Sequence, residues 1–549
     1  MLKIIPLGGL GEIGLNMMVF ECRDTLFIVD AGLMFPDPDM PGVDFVIPDM
    51  QYLKRNHRKV SGIILTHAHE DHIGALPFLL RHINAPVFGT AFTLGLVRHK
   101  LESAAIAQPP GLHEVSPQDT IRLGCFEIEF IRVCHSVVDG VGLAIRTPLG
   151  LVIHSGDFKI GHTATEGGRT DVGRLAQLGQ QGVLALLSDS TNVEKEGYTV
   201  SDRTIGKTLA AIAAGSPGRI IVALFASSIV RIQQIVEIAA GENRQIAFTG
   251  RSIETSVHIA KELGHLHIPT GVEIAIEEVG RHTDDRVVIV TTGSQGEPMS
   301  ALARMAAGRH RQIHIKPEDT VILSSKFIPG NERAIAKIIN DLYRRGAEVV
   351  YEKISDIHVS GHAFREELKL MINLTRPRYF IPIHGEYRHL VLHGRLACEV
   401  GIPIENTLLA ENGQVITFDS ESAGVRDRVP TGRVLVDGKG IGDVGRSVLR
   451  ERRLLSEDGL VAVTLAFDEE TGIIVYGPEI VSRGFVFETQ KGHLLEDAIC
   501  VVLETVEELD PALPDRMAAL KARLQMVLRQ YFFFTIGRRP VILPFILEI

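Results

Sequence analysis

The sequence predicts an α/β protein of about three domains, and three observations support that prediction. The chain has 549 residues, more than one ordinary core accommodates at roughly 100–200 residues per domain. It is 45% hydrophobic and 23% charged and contains 53 glycines, a composition typical of a globular, loop-rich protein. Short β-rich runs that end in glycine or aspartate alternate with helical stretches along the chain. A fibrous or disordered chain is therefore not expected.

Composition also restricts the cellular location and the partners. No apolar stretch reaches the ~20 residues of a membrane-spanning helix, and the first residues lack the apolar region of a signal peptide, so we expect a cytoplasmic protein without a membrane segment. The 5 cysteines are scattered and form no CxxC pair, which fits a reducing compartment. The formal net charge of −10 gives no overall attraction to nucleic acid. On charge alone, RNA is disfavoured, and any polyanion site must be local.

The order of motifs predicts the domain organisation. Residues 1–202 contain short strand-like runs that lead into loops. Residues 203–355 alternate strand-like and helical stretches and should form a separate α/β unit. Histidine and glycine motifs resume after that unit, so residues 356–445 should complete the first domain and add a Gly-, Ser- and Asp-rich linker. Residues 446–549 then form a last strand-and-helix unit.

A glycine motif near the start of the chain could be mistaken for a nucleotide site. Residues 9–14 spell GxGxxG, which is a weak signal on its own. Residues 15–21 look like a strand, whereas a dinucleotide site needs a helix at that place. We therefore reject the nicotinamide interpretation.

Metal-ligating side chains crowd one short loop, where residues 66–72 read THAHEDH. In an extended loop, residues two apart point the same way, so His67 and His69 can hold one ion. Asp71 and His72, at the following turn, can reach a second ion. Imidazole and carboxylate at this density suit zinc, or manganese if oxygen ligands dominate.

Two more ligand candidates, His135 and Asp157, each end a strand-like run, and the last protein ligand is expected to be His384. A carboxylate where a strand opens into a loop can bridge two cations about 3.5–4 Å apart. Any single one of the 22 histidines, such as His113 or His265, is better explained as structural. The whole set is not, because so many ligand-type residues in one loop waste stability unless a metal uses them. The sequence therefore predicts a two-metal site.

The order of these residues resembles the metallo-β-lactamase superfamily. The HxHxDH motif at 67–72 is followed by His135, Asp157 and His384 as in that family, and Asp30 matches its early aspartate. The resemblance implies an αββα sandwich that holds two divalent ions, zinc in preference to manganese. By this resemblance, the first ion is bound by His67, His69 and His135. The second ion is bound by Asp71, His72 and His384, and Asp157 bridges the two ions. Asp30 lies behind the ligands and orients the loop.

Further motifs restrict the branch of the superfamily. Residues 188–192, 358–363 and 383–386 resemble the three signatures of the β-CASP nucleic-acid-processing branch, in which a histidine at the third signature, here His384, goes with RNA-processing members. With the glycine-rich start and the arginines at 538–539, the resemblance to the ribonuclease J family spans nearly the whole chain. It implies an inserted β-CASP α/β domain and a small C-terminal α+β domain.

The resemblance also implies an activity and partners. A 5′-to-3′ exoribonuclease that prefers 5′-monophosphate ends is implied, in RNA maturation and decay, with endonuclease activity left open. RNA is the implied substrate and a homodimer or homotetramer the implied assembly, with other RNA-decay proteins left open as partners. One departure is that Ser228 and Val230 stand where the family often has Asn and His, which leaves the RNA contacts of the insert open.

Two residues outside the metal set are implied to do chemistry. His362, oriented by Asp189, would give a proton to the leaving 3′-oxygen. The segment implied to bind the 5′-terminal phosphate consists of His358, Val359, Ser360, Gly361 and His362. Taken alone, Ser360 and Gly361 are explained slightly better as a helix cap before residues 364–370.

Three other functions are compatible with parts of the pattern. A DNA-processing nuclease of the same branch is disfavoured by His384. A thioesterase-like hydrolase would not need so large an insert. A metal-free RNA-binding scaffold is disfavoured because every ligand position of the family pattern is filled.

Overall fold

The structure is a computed structural model, and it describes most of the chain. The described residues are 1–106, 111–161, 168–297, 299–325, 327, 331–352, 357, 359–438, 440–468, 471, 473–486, 493–509 and 515–549. The chain divides into two compact units, one formed by Met1–Phe35 and Phe45–Val434 and the other by Pro36–Asp44 and Leu435–Ile549. The domain boundaries drawn from the sequence stay predictions.

Two β-sheets packed face to face form the centre of the first unit. Alternate residues of each sheet meet in one apolar core, in which the ring of Phe27 from the first sheet lies 4.9 Å from that of Phe126 from the second. The first sheet has eight strands in the order Ala423–Arg428, Gln414–Phe418, Leu2–Gly8, Met17–Cys22, Thr25–Val29, Val60–Ile64, Val87–Gly89 and Leu112–Glu114. The second has six, in the order Pro377–Ile383, Val183–Asp189, Gly150–His154, Val141–Thr147, Phe126–Arg132 and Thr120–Leu123.

Helices cover the outer faces of both sheets. Ala91–Ser103 contacts two strands of the first sheet. Against the second sheet, Leu178, Met371 and Leu396 from three different helices join one core with the outward side chains of the strands. The predicted αββα sandwich is confirmed. The helices of this part are Gln51–Arg55, Glu70–Ile73, Leu76–Leu79, Ala91–Ser103, Val172–Gln181, Arg365–Thr375 and Tyr387–Glu399.

An α/β insert lies between two neighbouring strands of the second sheet. Val183–Asp189 and Pro377–Ile383 pair in parallel, with Asp189 opposite Ile383, although the insert separates them along the chain. The insert is a parallel sheet in the order Gln245–Thr249, Val287–Thr291, Ile220–Ala223, Thr320–Leu323 and Glu348–Val350. Its helices are Asp202–Gly215, Ile229–Gly241, Arg251–Glu262, Ala301–Ala306 and Glu332–Arg344. The predicted α/β insert is confirmed. The candidate site residues therefore come from chain segments both before and after the insert.

Two local predictions have different outcomes. The segment after the GxGxxG motif is the strand Met17–Cys22, as expected, so the motif lacks the helix of a dinucleotide site. The segment 419–445, predicted as a linker with weak strands, contains the strand Ala423–Arg428, which pairs with Gln414–Phe418 at the edge of the first sheet. A short polar strand at a sheet edge has the composition of a linker, since most of its side chains face water.

The second unit has a core of its own. A three-stranded sheet in the order Ile474–Arg483, Leu460–Phe467 and Val541–Glu548 packs against helices. The helices of this unit are Arg446–Asp458, Leu494–Glu507 and Arg516–Ile536. The α+β character predicted for the last unit is confirmed. Across the residues that the structure describes, a search for helices with the length and apolarity of a membrane span finds none.

Candidate metal centre

The predicted ligands come together where strands of both sheets end in loops. The 66–72 loop follows Val60–Ile64 of the first sheet, whereas His135, Asp157 and His384 follow three strands of the second. The two sheets are joined at this edge, because the amide of Val141 donates to the carbonyl of Thr66 at 3.0 Å. Side chains that are far apart in sequence therefore face one another at one edge of the sandwich.

The first ligand set contains three imidazoles and one carboxylate. The donor atoms of His67, His69, His135 and Asp157 all lie within 4.8 Å of one another. Nδ1 of His69 lies 3.0 Å from Nε2 of His67 and 3.2 Å from Nε2 of His135. A neutral imidazole carries one N–H, so three converging ring nitrogens cannot all be satisfied by one another. A cation among them would satisfy their lone pairs.

The second set consists of Asp71, His72 and His384, whose donor atoms also lie within 4.8 Å of one another. Oδ2 of Asp71 lies 3.6 Å from Nε2 of His72 and 3.5 Å from Nε2 of His384. Nε2 of His384 is buried, and among the described residues it has no hydrogen-bond partner. A buried polar atom without a partner is costly, so this nitrogen also fits a metal ligand.

Asp157 lies between the two sets. Its Oδ2 is 3.3 Å from Nε2 of His72, 3.5 Å from Nε2 of His384 and 3.7 Å from Nε2 of His67. The carboxylate is 4% exposed, so solvent screens it little. Burial would raise its pKa, but His384 and His72 hold the pKa well below its usual range. Asp157 is therefore an ionised carboxylate in a position to bridge two cations.

The pKa shifts of the histidines differ between the two ligand sets. Burial lowers the pKa of His69 to about 4 and also lowers that of His67 and His135, so these imidazoles are neutral and carry the lone pairs that a cation needs. Burial would lower the pKa of His72 and His384 too, but the carboxylates around them, Asp157 above all, raise it. The carboxylates thus favour positive charge in the second ligand set, and either protons or metal cations can supply it. The donor set fits two divalent ions.

The inward direction of three imidazoles is fixed by hydrogen bonds behind them. Nδ1 of His72 donates to Oδ2 of Asp30 at 2.8 Å, and Nδ1 of His135 lies 2.8 Å from the carbonyl oxygen of Gly361. Nδ1 of His384 lies 2.6 Å from the hydroxyl of Thr191. Each ring consequently presents Nε2 to the site, as ligands held by outer hydrogen bonds do.

Side chains outside the ligand sets fix both ends of the 66–72 loop, and of these the resemblance had implied only Asp30. Asp30 accepts from the amide of Thr66 at 2.8 Å and from its hydroxyl at 2.9 Å, which fixes the start of the 66–72 loop. Asn16 donates to the carbonyl of Asp71 at 3.0 Å and so fixes the other end. Thr66 precedes the histidines directly, but no sequence signal marks Asn16 or Thr191.

His362 lies beside the ligand sets. Its Nδ1 lies 2.8 Å from Oδ2 of Asp189, and its ring centre is 4.9 Å from that of His135 and 5.2 Å from that of His384. The side chain is 20% exposed, more than any imidazole of the second set. Its donor atom also lies within 4.8 Å of those of Asp157 and His384, so position alone permits either an acid or a ligand.

The residues before His362 pack tightly against the site. The hydroxyl of Ser360 accepts from Nδ2 of Asn192 at 2.5 Å, and Val359 is buried. A Cβ at Gly361 would lie 2.5 Å from Cε1 of His135, so only glycine fits there without displacing the imidazole. His358 lies outside the described residues.

The helix-cap alternative for Ser360 and Gly361 is wrong. The helix begins at Arg365, and its N-cap residue is Phe364. Ser360 is instead held by Asn192, in the loop after Asp189, so its hydroxyl does not cap the helix.

The fold and the two ligand sets define the chain as a metallohydrolase of the metallo-β-lactamase superfamily. Residues 11–179 match the model of that superfamily, and residues 346–406 match a Zn-dependent metallo-hydrolase RNA specificity domain. Residues 217–342 match the ribonuclease J β-CASP domain, and residues 447–549 match the ribonuclease J C-terminal domain. The chain belongs to the ribonuclease J family.

Relatives match along their whole length. Ribonuclease J2 of Bacillus subtilis is 40% identical over 547 residues, which cover 100% of this chain and 98% of the relative. Ribonuclease J of Thermus thermophilus is 42% identical over 557 residues, which cover 100% and 95%. A crystal structure of a protein of unknown function from Enterococcus faecalis covers 76% of this chain and 99% of its own, with a TM-score of 0.53 and 15% identity, and supports the fold alone.

Proposed function

We propose that this chain, a metal-dependent ribonuclease by its family, degrades RNA from the 5′ end and prefers a 5′-monophosphate. The observation that carries the proposal is the position of the 359–362 segment beside the metal centre. Gly361 contacts the predicted ligand His135, and Ser360 is held by the loop that carries Asp189. A terminal phosphate bound by this segment would place the first phosphodiester near the ions.

The predicted ligands favour zinc as the resident ion. In the described site, five imidazoles and two carboxylates converge, and nitrogen-rich sets of this kind suit zinc better than manganese, which prefers oxygen. Divalent cations here would activate the attacking water and neutralise charge on the phosphate. The assigned ligands are His67, His69 and His135 for one ion, Asp71, His72 and His384 for the other, with Asp157 between them.

The protein's own part in the reaction is proton transfer and orientation. Asp189 accepts a hydrogen bond from Nδ1–H of His362 and thereby fixes the ring, so that Nε2 of the doubly protonated imidazole can give its proton to the leaving 3′-oxygen and leave a neutral ring. Asp30 keeps His72 and the start of the 66–72 loop in place. These assignments agree with the roles that the family resemblance implies.

One assay tests the proposal. RNA with a 5′-monophosphate and the same RNA with a 5′-hydroxyl are incubated with enzyme loaded with zinc or with manganese. We expect faster cleavage of the monophosphorylated RNA, with release of mononucleotides, and higher activity with zinc. Equal rates on both ends, or internal products alone, would overturn the end preference.

The same assay separates the competing functions. A matched single-stranded DNA should be cleaved much more slowly, whereas a DNA-processing nuclease would prefer it. Hydrolysis of a thioester without cleavage of RNA would favour the thioesterase-like alternative. On the family resemblance we also propose a cytoplasmic homodimer or homotetramer, which sedimentation of the purified protein tests.

A further inference from the structure

Glu367 is a buried carboxylate whose hydrogen bonds go beyond those of a helix cap. It lies in the first turn of Arg365–Thr375, and its Oε2 accepts from the amide of Phe364 at 2.9 Å, as a glutamate at this position of a helix often does. Capping glutamates usually face water, but Glu367 is 0% exposed. Within the described part of the chain, no cationic side chain forms an ion pair with it. The carboxylate is therefore held in place by hydrogen bonds and not by an ion pair.

Three further hydrogen bonds supply that stabilisation, and they come from two other loops. Oε1 accepts from the amide of Ile160 and from the hydroxyl of Thr199, each at 2.9 Å. Oε2 accepts from the amide of Thr199 at 3.0 Å in addition to that of Phe364. Each oxygen thus accepts two hydrogen bonds, which is the full capacity of a carboxylate.

The three donors belong to loops that carry the site. Ile160 follows Asp157 by three residues, and Phe364 follows His362 by two. Thr199 lies in the loop that continues from Asp189. These loops come from separate strands and from both sides of the insert, and Glu367 is the side chain that binds to all three. The amide of Ala363 also donates to the carbonyl of Phe158 at 2.6 Å, which is a backbone link between the same two loops.

We propose that Glu367 is a positioning residue, which holds the Asp157 loop and the His362 loop at the separation that proton transfer requires. The inference rests on the proposed role of His362 as the general acid. A displacement of about 1 Å at a reacting group can cost about 10²-fold in rate. Glu367 does not touch the substrate in this assignment, and it acts only through the position of His362 relative to the Asp157 loop.

Glu367→Gln removes one of the four hydrogen bonds selectively. The side-chain oxygen of the glutamine can still accept from the backbone amides of Thr199 and Phe364. The hydroxyl of Thr199 can rotate and accept from the new NH₂ group. The amide group would then face the N–H of Ile160, so two donors oppose each other and the tie to the Asp157 loop is lost. Glu366→Gln is the matched control, because Glu366 is on the same helix, partly exposed, and pairs with Lys369 at 2.7 Å.

The test is a double-mutant cycle with His362→Ala, measured by single-turnover cleavage of RNA with an ordinary 3′-oxygen or a 3′-thiolate leaving group. We expect Glu367→Gln to slow the ordinary substrate by about 10²-fold and the thiolate substrate much less, with unchanged metal content. In the His362→Ala background, it should slow cleavage by no more than about twofold. Glu366→Gln should match the wild type.

Other outcomes contradict the inference. Equal slowing of both substrates, the same factor in the His362→Ala background, or loss of metal would assign Glu367 to the stability of the fold or to the ligand loop. If Glu367→Gln does not fold, Thr199→Val removes only the hydroxyl bond and should give a smaller effect of the same pattern. If His362→Ala alone is as fast as the wild type, His362 is not the general acid. That result refutes the proposed function of His362 and does not depend on any Glu367 variant.

Discussion

Nδ1 of His362 donates to Oδ2 of Asp189 at 2.8 Å, while the other oxygen of the same carboxylate accepts from the amide and the hydroxyl of Thr191 at 3.0 and 2.8 Å. Burial would raise the pKa of Asp189, but His362 and His384 hold it well below its usual range. The carboxylate is therefore ionised and stationary, and it fixes both the tautomer and the direction of the His362 ring.

From this relationship we expect His362→Ala to slow the chemical step by about 10²–10⁴-fold, the range for loss of a general acid. Cleavage of a substrate with a 3′-thiolate leaving group should be partly spared, because sulfur leaves without a proton. Metal content, measured by elemental analysis, should not change. Loss of an ion, or equal slowing on the thiolate substrate, would move His362 to the ligand set.

His69→Ala and Asp157→Ala should each abolish detectable cleavage and lower the bound metal. Each substitution removes a donor that no neighbour can replace. Loss of Asp157 also removes the carboxylate that is proposed to bridge the two ions. Elemental analysis and cleavage assays measure the two effects, and a circular dichroism spectrum checks the fold. His258→Ala, at a side chain that is 73% exposed, is the control. Full activity in metal-depleted Asp157→Ala would refute a two-metal mechanism.

Gly32→Ala should weaken the second ligand set without removing a ligand side chain. A Cβ at Gly32 would lie 1.6 Å from the carbonyl oxygen of Asp71, so the 66–72 loop must move. Outer-layer changes of this kind typically cost 10–100-fold in metal affinity, and we expect that loss in a titration with zinc. Gly215→Ala, where a Cβ would meet nothing within 4 Å, should bind zinc as the wild type does. Unchanged zinc affinity in Gly32→Ala would show that the contact of Gly32 with the 66–72 loop does not support the second ligand set.

An ion pair between Asp139 and His265 should make stability depend on pH. The two side chains are 2.7 Å apart, and the hydrogen bond raises the pKa of His265 above its usual value of 6.5. A raised pKa contributes stability that is fully present below the unfolded value and is lost as the pH rises through the folded value. Asp139→Asn should therefore lower Tm at pH 6 and have little effect at pH 9.

The expected size is small, roughly 2 °C, because both side chains are partly exposed and such pairs contribute at most about 1 kcal/mol. Asparagine tolerates the positive φ of 60° at Asp139, so the backbone is not strained by the change. His265→Gln should remove the same pH dependence. A Tm loss that is equal at both pH values would show that the pair contributes no charge-dependent stability.

Local patterns predicted the insert and most ligand candidates, whereas the sandwich was implied by the family resemblance. Strand-like runs end at His135 and Asp157, and the 66–72 loop concentrates donors within seven residues. Glu367 could not be predicted, since its sequence position is that of an ordinary helix cap, and only the fold brings Ile160 and Thr199 to it. The roles of His384 and His362 came from resemblance, because nothing local separates them from structural histidines.

The pairing of Asp189 with Ile383 across the insert has a consequence for the timing of biosynthesis. About 230 residues separate Asp157 from His384, so at roughly 5–20 residues per second a ribosome needs about 10–45 s to join the two. Throughout that interval, the early histidines have left the exit tunnel without their last partner. On the proposed ligand assignment, a nascent or prematurely terminated chain holds an incomplete ligand set, and nuclease activity is expected only when synthesis has passed the insert. We therefore expect a newly made chain to be unable to cut the message from which it is being translated until His384 has been added.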